Sequence, residues 1–386
     1  MQTAAVTKSE LADVLLRAAE GGVAALRWTL TLQPAGGPGD KVFPPTYEGG
    51  QYATEPRLLG GKTVDTVLLD SVQSQANRME QLLLRAYRAG RLSIPVISVK
   101  IPEHGTVTTL DAPHRCSDAI FRDSLWGDKL FRQSSEGKRI VAARPRAAGA
   151  MLEFCPSALL FGSWDSHGND ASGGAKFARC LVSEIVGWDV MAGKRTASRI
   201  DPLGIRAMAG TIYESNDEQW SLTKSGDAKL YKKDGKPSNI GHGNVLPTIS
   251  EDGGFTISRA TQTAVLSFAQ LRQLTFSEDA SQDVAARALL AALGLYALAA
   301  QWEEGYQLRS RCLLIAEQPP RVELLGAMGG ADRDLHVDAA GALAVFDACL
   351  AHARNEGVAW ADKEIELQPS SKLLALVKKS DATMEP

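Results

Sequence analysis

The chain has 386 residues, 44% of them hydrophobic and 23% charged, which is enough apolar mass for one large domain or two ordinary ones and excludes wholesale disorder. Its 42 basic residues against 45 acidic ones leave a formal net charge of -3, so there is no bulk signal for a polyanionic partner and any nucleic-acid binding has to be local. Five cysteines, Cys116, Cys155, Cys180, Cys312 and Cys349, form no close pair; they fit free thiols in a reducing compartment, not a disulfide framework or a zinc ribbon. Residues 1–20 lack the basic flank and apolar run of a signal peptide. The most apolar window, 284–300, is Ala-rich and carries Arg287, and so reads as a buried helix. The expectation is a soluble, cytoplasmic protein with no membrane partner.

In chain order, residues 23–32 (VAALRWTLTL) alternate apolar and polar side chains, the pattern of a half-buried strand. Residues 36–50 are too rich in Gly and Pro for regular structure and predict a loop. The clearest helix runs over 71–89. Asp70, followed by Gln73, gives it a capping-box start, and Val72, Ala76, Met79, Leu83 and Ala86 share an apolar face. Ser71, Gln75, Arg78 and Arg85 form a neighbouring polar, basic stripe expected to be free for a ligand. Residues 94–101 predict a second strand, placed at a sheet edge by Pro95. The stretch 106–150 is the most basic, with His114, Arg115, Arg122, Lys129, Arg132, Lys138, Arg139, Arg144 and Arg146. A short apolar run at 158–161 leads into a polar, Gly-rich loop containing Trp164, Asp165, Ser166 and His167, and residues 193–254 read as an exposed, lysine-bearing insertion. Strand and helix signals then resume: strands at 264–268, 312–316 and 322–325, and a helix near 338–353. The fold class expected is α+β, with helices on one face of a sheet.

The chemistry-bearing patterns are sparse. The six histidines are scattered and there is no HExxH or CxxC, so neither a metal nor another cofactor is expected. Gly173-Gly174-Ala175-Lys176 lacks the earlier glycine and the following Ser or Thr of a phosphate loop. Counted from Gly162, Ser166 stands where a nucleophile elbow needs its second glycine. Asp165 and His167 could act as an acid–base pair, but such residues more often stabilise turns. The 71–89 helix offers the stronger signal. Ser71, Gln73 and Ser74 gather at its N-terminus, where free N–H groups and the positive end of the helix dipole suit a phosphate.

The segment LLDSVQSQANRME at 68–80 resembles the signature helix of the CRISPR-associated RAMP superfamily, in particular the Cas-seven-type backbone subunit of type I-U (I-G) Cascade. DAPHRCSDAIFRDS at 111–124, PSALLFGSWDSHG at 156–168, GGAKFARCLVSEIVG at 173–187 and SRATQTAVLSFAQLRQLTF at 258–276 resemble the same family in the same order. The resemblance implies an RRM-like (ferredoxin-like) antiparallel sheet palm with fingers and thumb insertions. The palm would comprise 1–89, 156–192 and 255–386, the fingers 90–155 and the thumb 193–254. It further implies a non-catalytic subunit that binds crRNA and stacks head-to-tail on itself in a helical filament. Other implied partners are target DNA, the remaining Cascade subunits and a separate helicase-nuclease. Ser71, Gln73, Ser74, Asn77 and Arg78 fall on the family's RNA-contacting helix. His114, Arg115, Arg122, Trp164, Ser166, His167, Lys176 and Arg179 lie in the other matching segments and are expected at the RNA. No aromatic pair of the RRM type is visible on the strands, so contacts to the RNA backbone are expected in place of base stacking on the sheet. The alternative is a metal-dependent ribonuclease of the same superfamily, with Asp165 or Asp123 as its acid.

Overall fold

A computed structural model of the chain describes residues 8–165, 176–215, 219–329 and 331–384. Its centre is a nine-stranded sheet in which every pairing is antiparallel. The strands are β1 (Val23–Pro34), β2 (Thr54–Leu59), β3 (Lys62–Asp70), β4 (Leu181–Trp188), β5 (Arg259–Ser267), β6 (Tyr306–Arg309), β7 (Cys312–Ala316), β8 (Arg321–Gly326) and β9 (Ala331–Leu335). The main path runs β6-β7-β1-β5-β4-β3-β2, and β8 also pairs with β1 and carries β9. The period-2 pattern read in β1 is realised: Leu26, Trp28, Leu30 and Leu32 are buried while their neighbours are not. Ala260, Ala264 and Leu266 of β5 continue the same buried face.

Helices α1 (Lys8–Glu20), α2 (Val72–Arg88) and α3 (Ala280–Glu304) cover that face, and α4 (Ala339–Asn355) packs on α1 and α3. The helix α3 is built from the strongest helix formers, Ala and Leu. It starts at Asp279, whose side chain accepts from the Ser281 N–H, and stops at Gly305, whose φ of 86° suits only a residue without Cβ. By length and composition α3 could cross a membrane, but 83% of its most apolar window is buried inside the fold, as a core helix requires. Its Arg287 reaches Asp283 at 2.8 Å and the Leu274 carbonyl. All five cysteines are free and buried.

Residues 97–130 build most of a second, five-stranded sheet, ordered Gly105–Thr108, Ile97–Ile101, Ile365–Pro369, Ser124–Trp126, Lys129–Leu130. Ile97–Ile101 is therefore flanked on both sides, not at an edge as Pro95 suggested; the proline precedes the strand and loses it no hydrogen bond. The strand Ile365–Pro369 runs parallel to Ile97–Ile101 and antiparallel to Ser124–Trp126, so this sheet takes a middle strand from late in the sequence.

Residues 193–254 leave the body as an arm. Its neck is a three-stranded ladder of Met191–Ala192, Phe255–Thr256 and Lys41–Val42, fastened by Lys41 Nζ on the Lys194 carbonyl and the Tyr52 hydroxyl on the Asp252 carbonyl. The hairpin Arg195–Arg199 with Val245–Ser250 follows. Beyond it, Asp201 closes the distal loops by accepting the N–H groups of Leu203, Ile205 and Gly243.

Candidate nucleic-acid interface

The helix α2 is capped by Ser71, not Asp70. Ser71 Oγ accepts the Ser74 N–H, while Asp70, still in β3, turns its carboxylate into the protein. Adjacent Asp and Ser are both good caps, and the strand pairing of Asp70 with Ile185 decides between them. Gln73 and Asn77 are exposed, and Ser74 and Arg78 are half-buried beside them. Along this side of α2 an open groove of about 470 Å³ is lined by Ser74, Asn77, Arg78, Gln81, Gln301 and Gln307, among others. The expected free stripe is only partly free. Gln75 is fully buried and bonded to Asp70, Ser183 and Gln262, and Arg85 pairs with Glu304 at 2.5 Å.

Arg78 is anchored and still accessible. Its Nε donates to Asp70 at 2.9 Å and its Nη2 to the Leu308 carbonyl at 2.6 Å, yet 30% of the side chain remains exposed. Arg309 approaches the same Asp70 carboxylate at 3.2 Å. Two guanidiniums thus share one carboxylate, leaving a net positive charge beside the N-terminus of a 17-residue helix. Helix dipole and fixed cation act together there on an anion.

The basic stretch departs most from expectation at Arg115. The residue is 7% exposed, its Nε and Nη2 each donate to Glu80 at 2.7 Å, and its Nη1 donates to the Gly162 carbonyl at 2.8 Å. This guanidinium is a buried fastener and not a surface contact; the other charge sits on the inner face of α2. Arg115 adopts φ 52°, a conformation that non-glycine residues rarely take unless their surroundings impose it. Burial pushes the Glu80 carboxyl up to about 7, against the smaller lowering by Arg115. A carboxyl raised in the folded state holds its proton longer there. The stability it contributes is complete below the ordinary range near 4.5 and is lost as pH rises to about 7. The free energy of unfolding should therefore fall across that window. Glu80→Gln, isosteric with the protonated acid, should flatten the slope.

His114 is exposed next to this fastener, and Arg122 is engaged by Asp123 through two 2.8 Å bonds. Ser117 Oγ lies 3.1 Å from Ser163 Oγ, which joins the 114–117 turn to the two-residue strand Ser163–Trp164. Trp164 is 62% exposed. It pairs directly with Lys176, so the two side chains stand on the same face of the ladder, and Arg179 is exposed just beyond. Ser166 and His167 lie outside the described residues. Asp165 is held by Arg132 at 2.9 Å, and among the described residues no group of three His, Cys, Asp or Glu could hold a metal ion.

These parts adjoin. Gln81 of α2 donates to Asp111 at 3.0 Å, Arg115 ties Glu80 of α2 to Gly162, and Ser117 meets Ser163. The polar side of α2 therefore continues through the 111–117 turn to Trp164, Lys176 and Arg179. Arg309, and the buried Asp70, Gln262 and Tyr306 that support the α2 end of this surface from beneath, were not singled out from sequence as site residues. The one available signal was the isolated polar residue Gln262 between Ala260 and Ala264 on a strand's apolar face.

Residues 26–192 match the family model described as CRISPR-associated protein GSU0053. No curated protein matches the chain. Among solved structures, Csc2 of Thermofilum pendens is similar at 13% identity over 93% of this chain and 76% of that one. The TM-score of that superposition is 0.29, too low to bear on the fold.

Proposed function

Because residues 26–192 match the family model described as CRISPR-associated protein GSU0053, we propose that the chain is a Cas7-type backbone subunit of a cytoplasmic Cascade complex that binds crRNA without cutting it. It would hold the guide for pairing with target DNA, beside other Cascade subunits and a separate helicase-nuclease. The observation that carries this reading is the α2 N-terminus, where Ser71, Gln73, Ser74 and Asn77 stand beside the net-positive pair of Arg78 and Arg309. From there the RNA backbone would pass His114 toward Lys176 and Arg179, with Trp164 as a stacking platform. Arg115 acts in this scheme from beneath, by fixing the turn that carries His114. The main sheet would be the RRM-like palm, the second sheet the fingers and the arm the thumb.

Assembly along the RNA is supported by the arm. Ile200, Leu203 and Met208 are 80–87% exposed, and a neighbouring copy would cover them. A ribonuclease is the weaker reading, since Asp165 and Asp123 are each committed to an arginine.

The test is binding of single-stranded RNA across a salt series. Arg78→Ala should weaken binding to all sequences alike and lower the slope of log affinity against log salt by about one, as for one lost phosphate contact. A loss confined to one guide sequence would contradict a backbone contact. Magnesium-dependent cleavage abolished in Asp165→Ala would favour the nuclease.

A further inference from the structure

Asp70 is an acid where simple electrostatics would not put one. It lies directly behind a surface read as phosphate-binding, its carboxylate fully buried. Three donors meet it: Gln75 Nε2 at 2.6 Å, Arg78 Nε at 2.9 Å and Arg309 Nη2 at 3.2 Å. The Gln75 carbonyl oxygen in turn accepts from Ser183 Oγ at 2.9 Å and Gln262 Nε2 at 3.0 Å. Gln262 also donates to Gln301, and its own oxygen accepts the Tyr306 hydroxyl at 2.6 Å. Side chains from β3, β4, β5, β6, α2 and α3 thus form one buried network, and Arg78 and Arg309 carry it to the surface.

We propose that Asp70 is a positioning residue for the RNA-phosphate site: it locks the guanidiniums of Arg78 and Arg309 in place before RNA arrives, with Gln75, Gln262 and Tyr306 fixing its own orientation. A free arginine side chain samples many rotamers and must be ordered on binding, whereas one already held by two kinds of acceptor need not be. The carboxylate subtracts one charge from the site, but the remaining net positive charge is fixed where the helix N–H groups also point. Such a network is effective only while its members are satisfied, which explains why the relay extends as far as Tyr306. The inference rests on the RNA-binding reading of this surface.

Asp70→Asn separates positioning from charge because the two predict opposite signs. Charge alone predicts tighter RNA binding and a steeper salt slope. Positioning predicts weaker binding, by roughly two- to tenfold, the equivalent of ordering one long side chain. In an Arg78→Ala background, Asp70→Asn should add little further loss. Modification of Arg78 by phenylglyoxal, followed by peptide mass spectrometry, reads the same effect without RNA and should be faster in Asp70→Asn. Tighter RNA binding, unchanged Arg78 reactivity, or a full additive loss in the double variant would overturn the proposal. Should Asp70→Asn fail to fold, Tyr306→Phe at the far end of the relay must shift Arg78 reactivity and RNA affinity in the same directions; no shift in either overturns it. A wild-type protein that binds no RNA refutes the function proposed above, and Arg78 reactivity still decides whether Asp70 positions the side chain.

Discussion

Glu80→Ala is expected to destabilise the folded chain by about 3–5 kcal/mol at pH 8, the cost of leaving a buried charge without its partner. Arg115 has its guanidinium enclosed between α2, the Gly162 carbonyl and the ring of Phe161, whose centroid is 5.6 Å away. With Glu80 gone, two of its N–H donors lose their acceptor while the guanidinium stays buried. The backbone cost adds to this, because the φ of 52° at Arg115 is held by those same bonds. Arg115→Ala should be of similar size for the reciprocal reason, whereas Glu80→Gln, which keeps an acceptor, should cost clearly less. Urea unfolding of the three variants measures the order. Equal, small effects in all three would mean that the pair is hydrated in solution and is not a fastener.

Replacing residues 200–244 by Asn-Gly should leave the body folded and abolish assembly on RNA. Arg199 and Val245 are register partners in the arm's hairpin, so a two-residue turn can join them without disturbing the strands below. The body keeps its neck ladder and the bonds of Lys41 and Tyr52 to the arm's base. The removed part carries Ile200, Leu203 and Met208, the exposed apolar side chains that the proposed assembly would cover. On an RNA long enough for several subunits, native mass spectrometry should show regular multiples for the parent protein and isolated or irregular occupancy for the variant. The melting temperature should stay close to that of the parent. Multiples that persist in the variant would assign subunit contact to the body.

What was legible in the sequence was local. Alternation in 23–32 gave β1, the apolar spacing of 71–89 gave α2, and the Ala-Leu run gave the buried helix α3. What was not legible depended on partners distant in sequence. Asp70 and Ser71 are equivalent caps by residue type, and only contacts with Arg309 and with Ile185 on the neighbouring strand separate their roles. Gln75 looked like surface because three of its hydrogen-bond partners, Asp70, Ser183 and Gln262, are unremarkable polar residues until the sheet and α2 bring them together. Arg115 counted toward a basic stretch because its acid lies on another element, 35 residues earlier. The exposure of Trp164 could not be told from its loop, since an apolar run before it suits burial equally well. The family resemblance, meanwhile, rested on motifs that survive without any knowledge of these contacts.

The parallel strand Ile365–Pro369 sets an order of events during synthesis. Its neighbours, Ile97–Ile101 and Ser124–Trp126, leave the ribosome long before it does and must wait with a gap between them. Ile365 N–H on the Val96 carbonyl, Trp360 on the Ser93 carbonyl and Ala361 on the Glu153 carbonyl close that gap together. Until they do, the nascent chain presents two unpaired strand edges, the kind of surface that holding chaperones take up. The central sheet waits in the same way for β5 and for the strands after α3. The chain therefore completes both sheets only when translation has nearly passed them.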